Sequence, residues 1–96
     1  MSKLRKAAKG QMCTVNIVGV CNYNPETTVL AHLKYEGGCM GGKPHDIAGC
    51  WACSDCHDAI DGRVQQSEFK EHRFEYLFRA LVRTLVALFR QGIIKV

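Results

Sequence analysis

The sequence has no apolar stretch long enough to cross a bilayer. A spanning helix needs roughly 18 or more uninterrupted apolar residues, and Arg79, Arg83 and Arg90 interrupt the most apolar region. It also lacks an export leader, because the opening "MSKLRKAAKGQMC" is basic and has no apolar core. Internal repeats and low-complexity tracts are absent as well. These absences point to a cytoplasmic protein that does not engage membranes, and they change the meaning of its six cysteines. In an exported chain that number would imply a disulfide framework, whereas in a reducing compartment the thiols are free to bind metal.

At 96 residues the chain suits one domain, spanning 1–96, whose core is only marginally stabilised by burial. Hydrophobic residues make up 47% and charged residues 23% of it, ordinary globular values. Glycine and proline gather between Gly37 and Pro44, so the first half contains a sizeable loop and needs a staple. The formal charge is +4, with Lys3, Arg5, Lys6 and Lys9 concentrated in a basic N-terminal arm over 1–12 that could lie along phosphates. Leu4, Ala7 and Ala8 recur in it at helical spacing.

"CTVNIVGVC" alternates polar and β-branched residues and reads as a short strand and turn bracketed by Cys13 and Cys21. Thr27 to Tyr35, following an Asn-Pro turn signal, reads as a strand with His32 near its centre. "EGGCMGGKPHD" is loop, and "IAGCWAC" is a second strand that pairs with the first. A short helix is expected from about Asp55 to Ile60, with Ser54 as its N-cap and Asp61 one turn beyond His57. The last third predicts one long helix over 67–91, with Phe74, Leu77, Leu81, Leu85 and Leu88 as the apolar stripe that covers the core. Glu71, Glu75, Arg79 and Arg83 fall on its other faces, Gly92 is its C′ residue, and "IIKV" adds a short strand or a packed tail.

Two cysteines separated by two residues on a tight turn can both reach one tetrahedral ion, and Cys53 with Cys56 meets that rule. Cys13 and Cys21, at the ends of the first hairpin, are the natural second pair, although Cys39 or Cys50 could replace either. An iron–sulfur box built on Cys50, Cys53 and Cys56 with a remote Cys39 is the competing reading. Ferredoxin spacing would continue to a fourth cysteine followed by proline, and here His57 and Asp58 follow instead. Zinc therefore fits the spacing better, with Cys50 a small buried hydrophobe.

"TVLAHLKY", "GGKPHD" and "CSDCHDAIDG", in that order and at this spacing, resemble the HNH or ββα-metal nuclease motif. The likeness is closest to small phage- and prophage-encoded nucleases. "LRKAAKGQMCTVNIVGVCNYNPETTVLAHL" is also similar to one such prophage family, so the resemblance covers most of the chain.

The resemblance implies an α+β fold: a zinc-stapled ββα-metal core over 13–62 with a long C-terminal helix. It implies a metal-dependent endonuclease that hydrolyses DNA phosphodiester bonds, with His32 as general base. Asp46 would take the middle polar position that orients His32, and His57 would be a ligand of a catalytic Mg²⁺ or other divalent cation, joined by Asp61. Cys13, Cys21, Cys53 and Cys56 would hold a separate structural zinc. The sequence departs from the pattern at Ala31, where many members carry a metal ligand, and at Asp46, where Asn is usual. A non-catalytic zinc module that binds DNA or protein is the alternative, and either reading is compatible with a homodimer.

Overall fold

The structure is a computed structural model that describes residues 3–33 and 45–96. The expected glycine-rich loop, Cys39 and the end of the first strand at Tyr35 lie outside the described residues.

Four helices and two strands make up the described fold: α1 (Lys3–Ala8), β1 (Val29–His32), β2 (Gly49–Ala52), α2 (Ser54–Ile60), α3 (Ser67–Glu71) and α4 (Arg73–Arg90). β1 and β2 pair antiparallel, with Leu30 opposite Trp51 and His32 opposite Gly49. Successive side chains on a strand point to opposite faces. Ala31, Cys50 and Ala52 accordingly enter one apolar cluster, with Val15, Ile17, Phe69 and Tyr76. Leu30 and Trp51 enter a second, with Ala8 and Leu88. All four residues of β2 are buried, as its near-continuous apolar run requires.

The basic leader is folded onto this second cluster. Leu4 and Ala7 pack against it beside the buried Ala8, so α1 is a docked helix whose charged residues ride on its outer side. Ile93 and Ile94 join the same cluster. They are brought there by the end of α4, where Gly92 takes φ +74. Its N–H bonds the Phe89 carbonyl and that of Ile93 bonds Leu88, the paired bonds of a Schellman end. The expected tail is thus packed, without strand geometry.

Three expectations need correction. The segment from Cys13 to Cys21 is not a strand: Asn16 at φ 50 and Gly19 at φ 76 take left-handed conformations that bend it into tight turns. The single helix expected over 67–91 is broken at His72, whose φ −118 and ψ 31 leave helical geometry between α3 and α4. The buried face of α4 is Tyr76, Ala80, Thr84 and Leu88, with Phe74 on the surface. Small Ala80 and Thr84 let the helix approach β2 closely, which a count of large apolar residues overlooks.

That close approach closes the free edge of β2. Thr84 Oγ1 accepts the Trp51 N–H at 3.1 Å and lies 3.0 Å from Thr14 Oγ1. Thr14 in turn bonds the Trp51 carbonyl through both its N–H, at 2.8 Å, and its hydroxyl, at 2.9 Å. An unpaired strand edge invites pairing with other chains, and here both edge groups of Trp51 are satisfied internally. Thr84→Val keeps the shape of the side chain and orphans the Trp51 N–H, so it should cost roughly 1–3 kcal/mol. Thermal melting should register a loss of several degrees, and Thr84→Ser should recover most of it. An unchanged melting temperature for Thr84→Val would remove the edge from the list of stabilising features.

Candidate metal centre and catalytic depression

Cys13, Cys21, Cys53 and Cys56 bring their Sγ atoms within 4.8 Å of one another. Around a tetrahedral ion with bonds of about 2.3 Å, sulfurs lie about 3.8 Å apart. Cys21 and Cys53 stand at 3.8 Å, so the donor set fits zinc.

Two similar turns build the cluster. Cys53 directly follows β2 and caps α2, its sulfur accepting the Cys56 N–H at 3.4 Å. This role belongs to Cys53, one residue before the Ser54 expected from the sequence, because its sulfur takes the capping bond that a hydroxyl oxygen usually accepts. Cys13 repeats the arrangement by accepting the Asn16 N–H at 3.5 Å. Asn16 stands where the other turn has Cys56, and its amide reaches the Cys21 sulfur at 3.7 Å. The irregular Cys13-to-Cys21 spacing follows from this, since the fourth sulfur arrives after a further turn at Gly19.

Within the cluster, the Cys56 thiol hydrogen-bonds Cys13 and pulls it down to about 5, against the opposing effect of burial. The same bond, with burial, pushes Cys56 up. Burial raises Cys21. The two shifts run in opposite directions because the sulfurs share one proton, and a cation bound by both would displace it.

Cys50 lies outside the four-sulfur group. Burial, followed by the Cys13 charge, pushes it up to about 12, as expected of a thiol packed in the core, and its sulfur is not grouped with those of Cys53 and Cys56 as the iron–sulfur reading requires. Cys50→Ala should leave metal content unchanged and cost about 1 kcal/mol. Elemental analysis of the purified variant checks this, and a loss of metal would place Cys50 among the ligands.

The two motif histidines sit on either side of this knuckle. His32 ends β1, and its Nε2 lies 2.6 Å from Asp46 Oδ1, at the start of a short 3-10 turn over Asp46–Ala48. A carboxylate only accepts, so Nε2 carries a proton in this contact, and in the neutral ring that leaves the lone pair on Nδ1. Asp46 Oδ1 also takes the Arg5 Nε at 3.2 Å, which ties α1 to the same carboxylate.

His57 follows Cys56 on α2, with its Nε2 3.2 Å from Asp61 Oδ2. Asp61 terminates α2, and Gly62 at φ 80 turns the chain so that Arg63 returns over the helix end. Arg63 then pairs with Asp58 at 3.0 Å and Asp61 at 3.5 Å. His32 and Asp61 line one depression of about 460 Å³, with Arg63, Arg73, Ile60, Leu33 and Leu77. Arg73 is held at its edge by two 3.3 Å bonds to the Ile60 carbonyl and by its position 5.2 Å over the Phe69 ring.

The structure thus joins His32 to Asp46 and His57 to Asp61. Among the described residues, the four cysteines are the only metal-ligating set of three or more, so no third donor joins His57 and Asp61. Arg5, Arg63 and Arg73 were not legible as site residues. Arg5 was one of several leader cations, and nothing in the spacing of Arg63 or Arg73 brings them to His32. No helix among the described residues is long and apolar enough to cross a membrane.

The chain resembles known proteins over nearly its whole length. A protein from Escherichia coli (strain K12) bearing the name "Putative nuclease YbcO" is 46% identical over 96 residues, 99% of each chain. A "Putative nuclease ybcO" from Enterobacteria phage 82 gives the same values. A solved structure, "Structure of a putative bacteriophage protein from Escherichia coli str. K-12 substr. MG1655", matches with a TM-score of 0.73 and 43% identity, covering 94% of this chain and all of the other. The family model described as "Putative nuclease YbcO" matches residues 2–93, and with these relatives it shows that the chain belongs to the YbcO family of phage and prophage proteins.

Proposed function

We propose that the protein is a metal-dependent DNA endonuclease of the HNH, or ββα-metal, type, with its chemistry at the depression between β1 and α2. The observation that carries this reading is the 2.6 Å pairing of His32 with Asp46, on the same depression as Asp61. The relatives' name supports a nucleic acid substrate. In this reading His32 Nδ1 takes the proton of a water attacking phosphorus, while Asp46 holds the ring and fixes its tautomer. Arg63 and Arg73 face the depression with guanidinium groups suited to phosphate oxygens.

His57 and Asp61 would hold the catalytic cation, which supplies charge neutralisation at the phosphate and the leaving oxygen. Two neighbouring donors on an octahedral Mg²⁺ at about 2.1 Å lie about 3.0 Å apart. The 3.2 Å between His57 Nε2 and Asp61 Oδ2 suits such a bite. Magnesium commonly keeps several waters and takes one or two protein groups plus substrate phosphates, so a two-residue site is sufficient.

The test is supercoiled plasmid, and separately a single-stranded oligonucleotide, incubated with the zinc-bound protein and Mg²⁺, Mn²⁺ or Ni²⁺, beside an EDTA control and His32→Ala. Nicking by the wild type alone is expected. Plasmid and a single-stranded oligonucleotide both left equally intact by the two proteins under every metal would defeat the enzymatic reading. Ala31 favours a second one: it is wholly buried on β1 and offers no ligand at the position where the HNH pattern often has one. A zinc-stabilised DNA-binding module without catalysis would shift a probe in a salt-dependent way and leave it unbroken.

A further inference from the structure

The depression at His32 borders a second concavity at Arg73. Leu33, Arg73 and Leu77 also line this groove of about 520 Å³, which continues along α4 past Phe74, Phe78 and Leu81. One side of this groove is aromatic and open to solvent. Phe74 is 76% and Phe78 58% exposed, and their rings stack with centroids 6.0 Å apart and planes 15° from parallel. Two large rings left in water on one helical face are unlike the scattered single apolar residues of an ordinary surface. They are not needed for the core, because α4 packs through Tyr76, Ala80, Thr84 and Leu88.

We infer that this groove seats an unpaired nucleobase of single-stranded DNA next to the phosphate held at His32, so that the substrate is single-stranded or locally unpaired. The inference rests on the nucleic acid reading of the His32 depression and names the substrate class of that site. Three features select a nucleotide as the occupant. The groove shares Leu33, Arg73 and Leu77 with the depression, so the two adjoin and one strand can reach both. At the boundary stands Arg73, whose guanidinium spends two contacts on the Ile60 carbonyl and keeps further N–H donors for a phosphate. Beyond it lie flat apolar rings. A cation beside an aromatic platform is the combination by which proteins hold single strands, the backbone on the charge and the base on the ring. A paired base keeps its faces inside the duplex and cannot occupy such a groove without being extruded.

The experiment is fluorescence anisotropy of a labelled oligodeoxynucleotide, single-stranded and as its duplex, with the zinc-bound full chain and no added divalent cation. Wild type should bind the single strand at least about ten-fold more tightly than the duplex. Phe74→Ala and Phe78→Ala should each weaken single-strand binding by about ten-fold while leaving duplex binding unchanged, since a stacked base is lost and the cations remain. Both residues are exposed, so their variants should melt like wild type, and this is measured alongside. Equal affinity for the two DNAs, no binding of either, or a Phe74→Ala variant that binds single strands normally would each overturn the inference. So would sedimentation showing a wild-type dimer that Phe74→Ala dissolves, which assigns the face to a second copy. Cleavage is scored separately, on the plasmid and on the labelled single strand: cleavage without a single-strand preference in binding defeats this inference alone, and a preference with neither DNA cleaved defeats the enzymatic reading alone.

Discussion

Withdrawal of zinc, or the single change Cys53→Ala, is expected to abolish cooperative melting of the whole chain. The apparent binding energy of structural zinc in small zinc-finger peptides is about 10–16 kcal/mol, and a domain's total stability is about 5–15 kcal/mol. The ion's contribution is therefore of the same size as everything else combined. The four sulfurs sit at the junction of the segment from Cys13 to Cys21, the end of β2 and the start of α2. Without an ion, that junction would leave polar sulfurs, joined only by weak hydrogen bonds, within the larger apolar cluster. Cys53 carries the heaviest consequence because it is wholly buried, caps α2 and would supply one of the four sulfurs around the ion. Calorimetry with and without a chelator, on protein whose zinc content has been measured, checks the expectation. A chelated chain that melts in the same cooperative transition would show that the cysteine cluster is not a staple.

His32→Ala should lower the rate of strand cleavage by about 10²–10⁴-fold, the usual contribution of a positioned general base. The loss should appear in kcat rather than in DNA affinity, since the ring is only partly exposed and the cations that would bind phosphates stay in place. The substitution should also leave zinc content intact, because His32 is no part of the cysteine cluster. Asp46→Asn should cost less, as an amide oxygen still accepts the Nε2 proton but without the charge. The order His32→Ala below Asp46→Asn below wild type, read as plasmid-nicking rates at one metal concentration, is the expected result. An Asp46→Asn variant slower than His32→Ala would shift the essential role from the imidazole to the carboxylate.

Much of this architecture was legible from residue types alone, for identifiable reasons. Cys53 and Cys56 announce themselves because a two-residue spacing leaves few other uses for a pair of thiols. The pairing of β1 with β2 follows from two short β-branched and apolar segments on either side of a glycine-rich stretch. The segment from Cys13 to Cys21 misleads because its alternating pattern imitates a strand, while Asn16 and Gly19 supply the left-handed turns that wrap it around the sulfurs. The long helix misleads in a different way. Its large apolar residues suggest one buried face, but contact with β2 is decided by Ala80, by Thr84 and by a hydrogen bond to Trp51. The arginines at the depression are beyond any periodicity argument, because Arg63 arrives through a glycine turn and Arg73 begins a new helix.

Trp51 provides a way to watch this molecule respond. It is the chain's single tryptophan and is 3% exposed. It lies on the sheet face opposite the cysteine cluster, and its indole nitrogen has no hydrogen-bond partner among the described residues. An indole in so dry a setting should emit at short wavelength. Fraying confined to the cysteine loops would leave that emission blue, whereas a collapse transmitted through β2 would bring water to the ring and shift it red. The chain therefore carries an intrinsic optical gauge of how far removal of an ion from the cysteine cluster would be felt, readable without a label or a substitution.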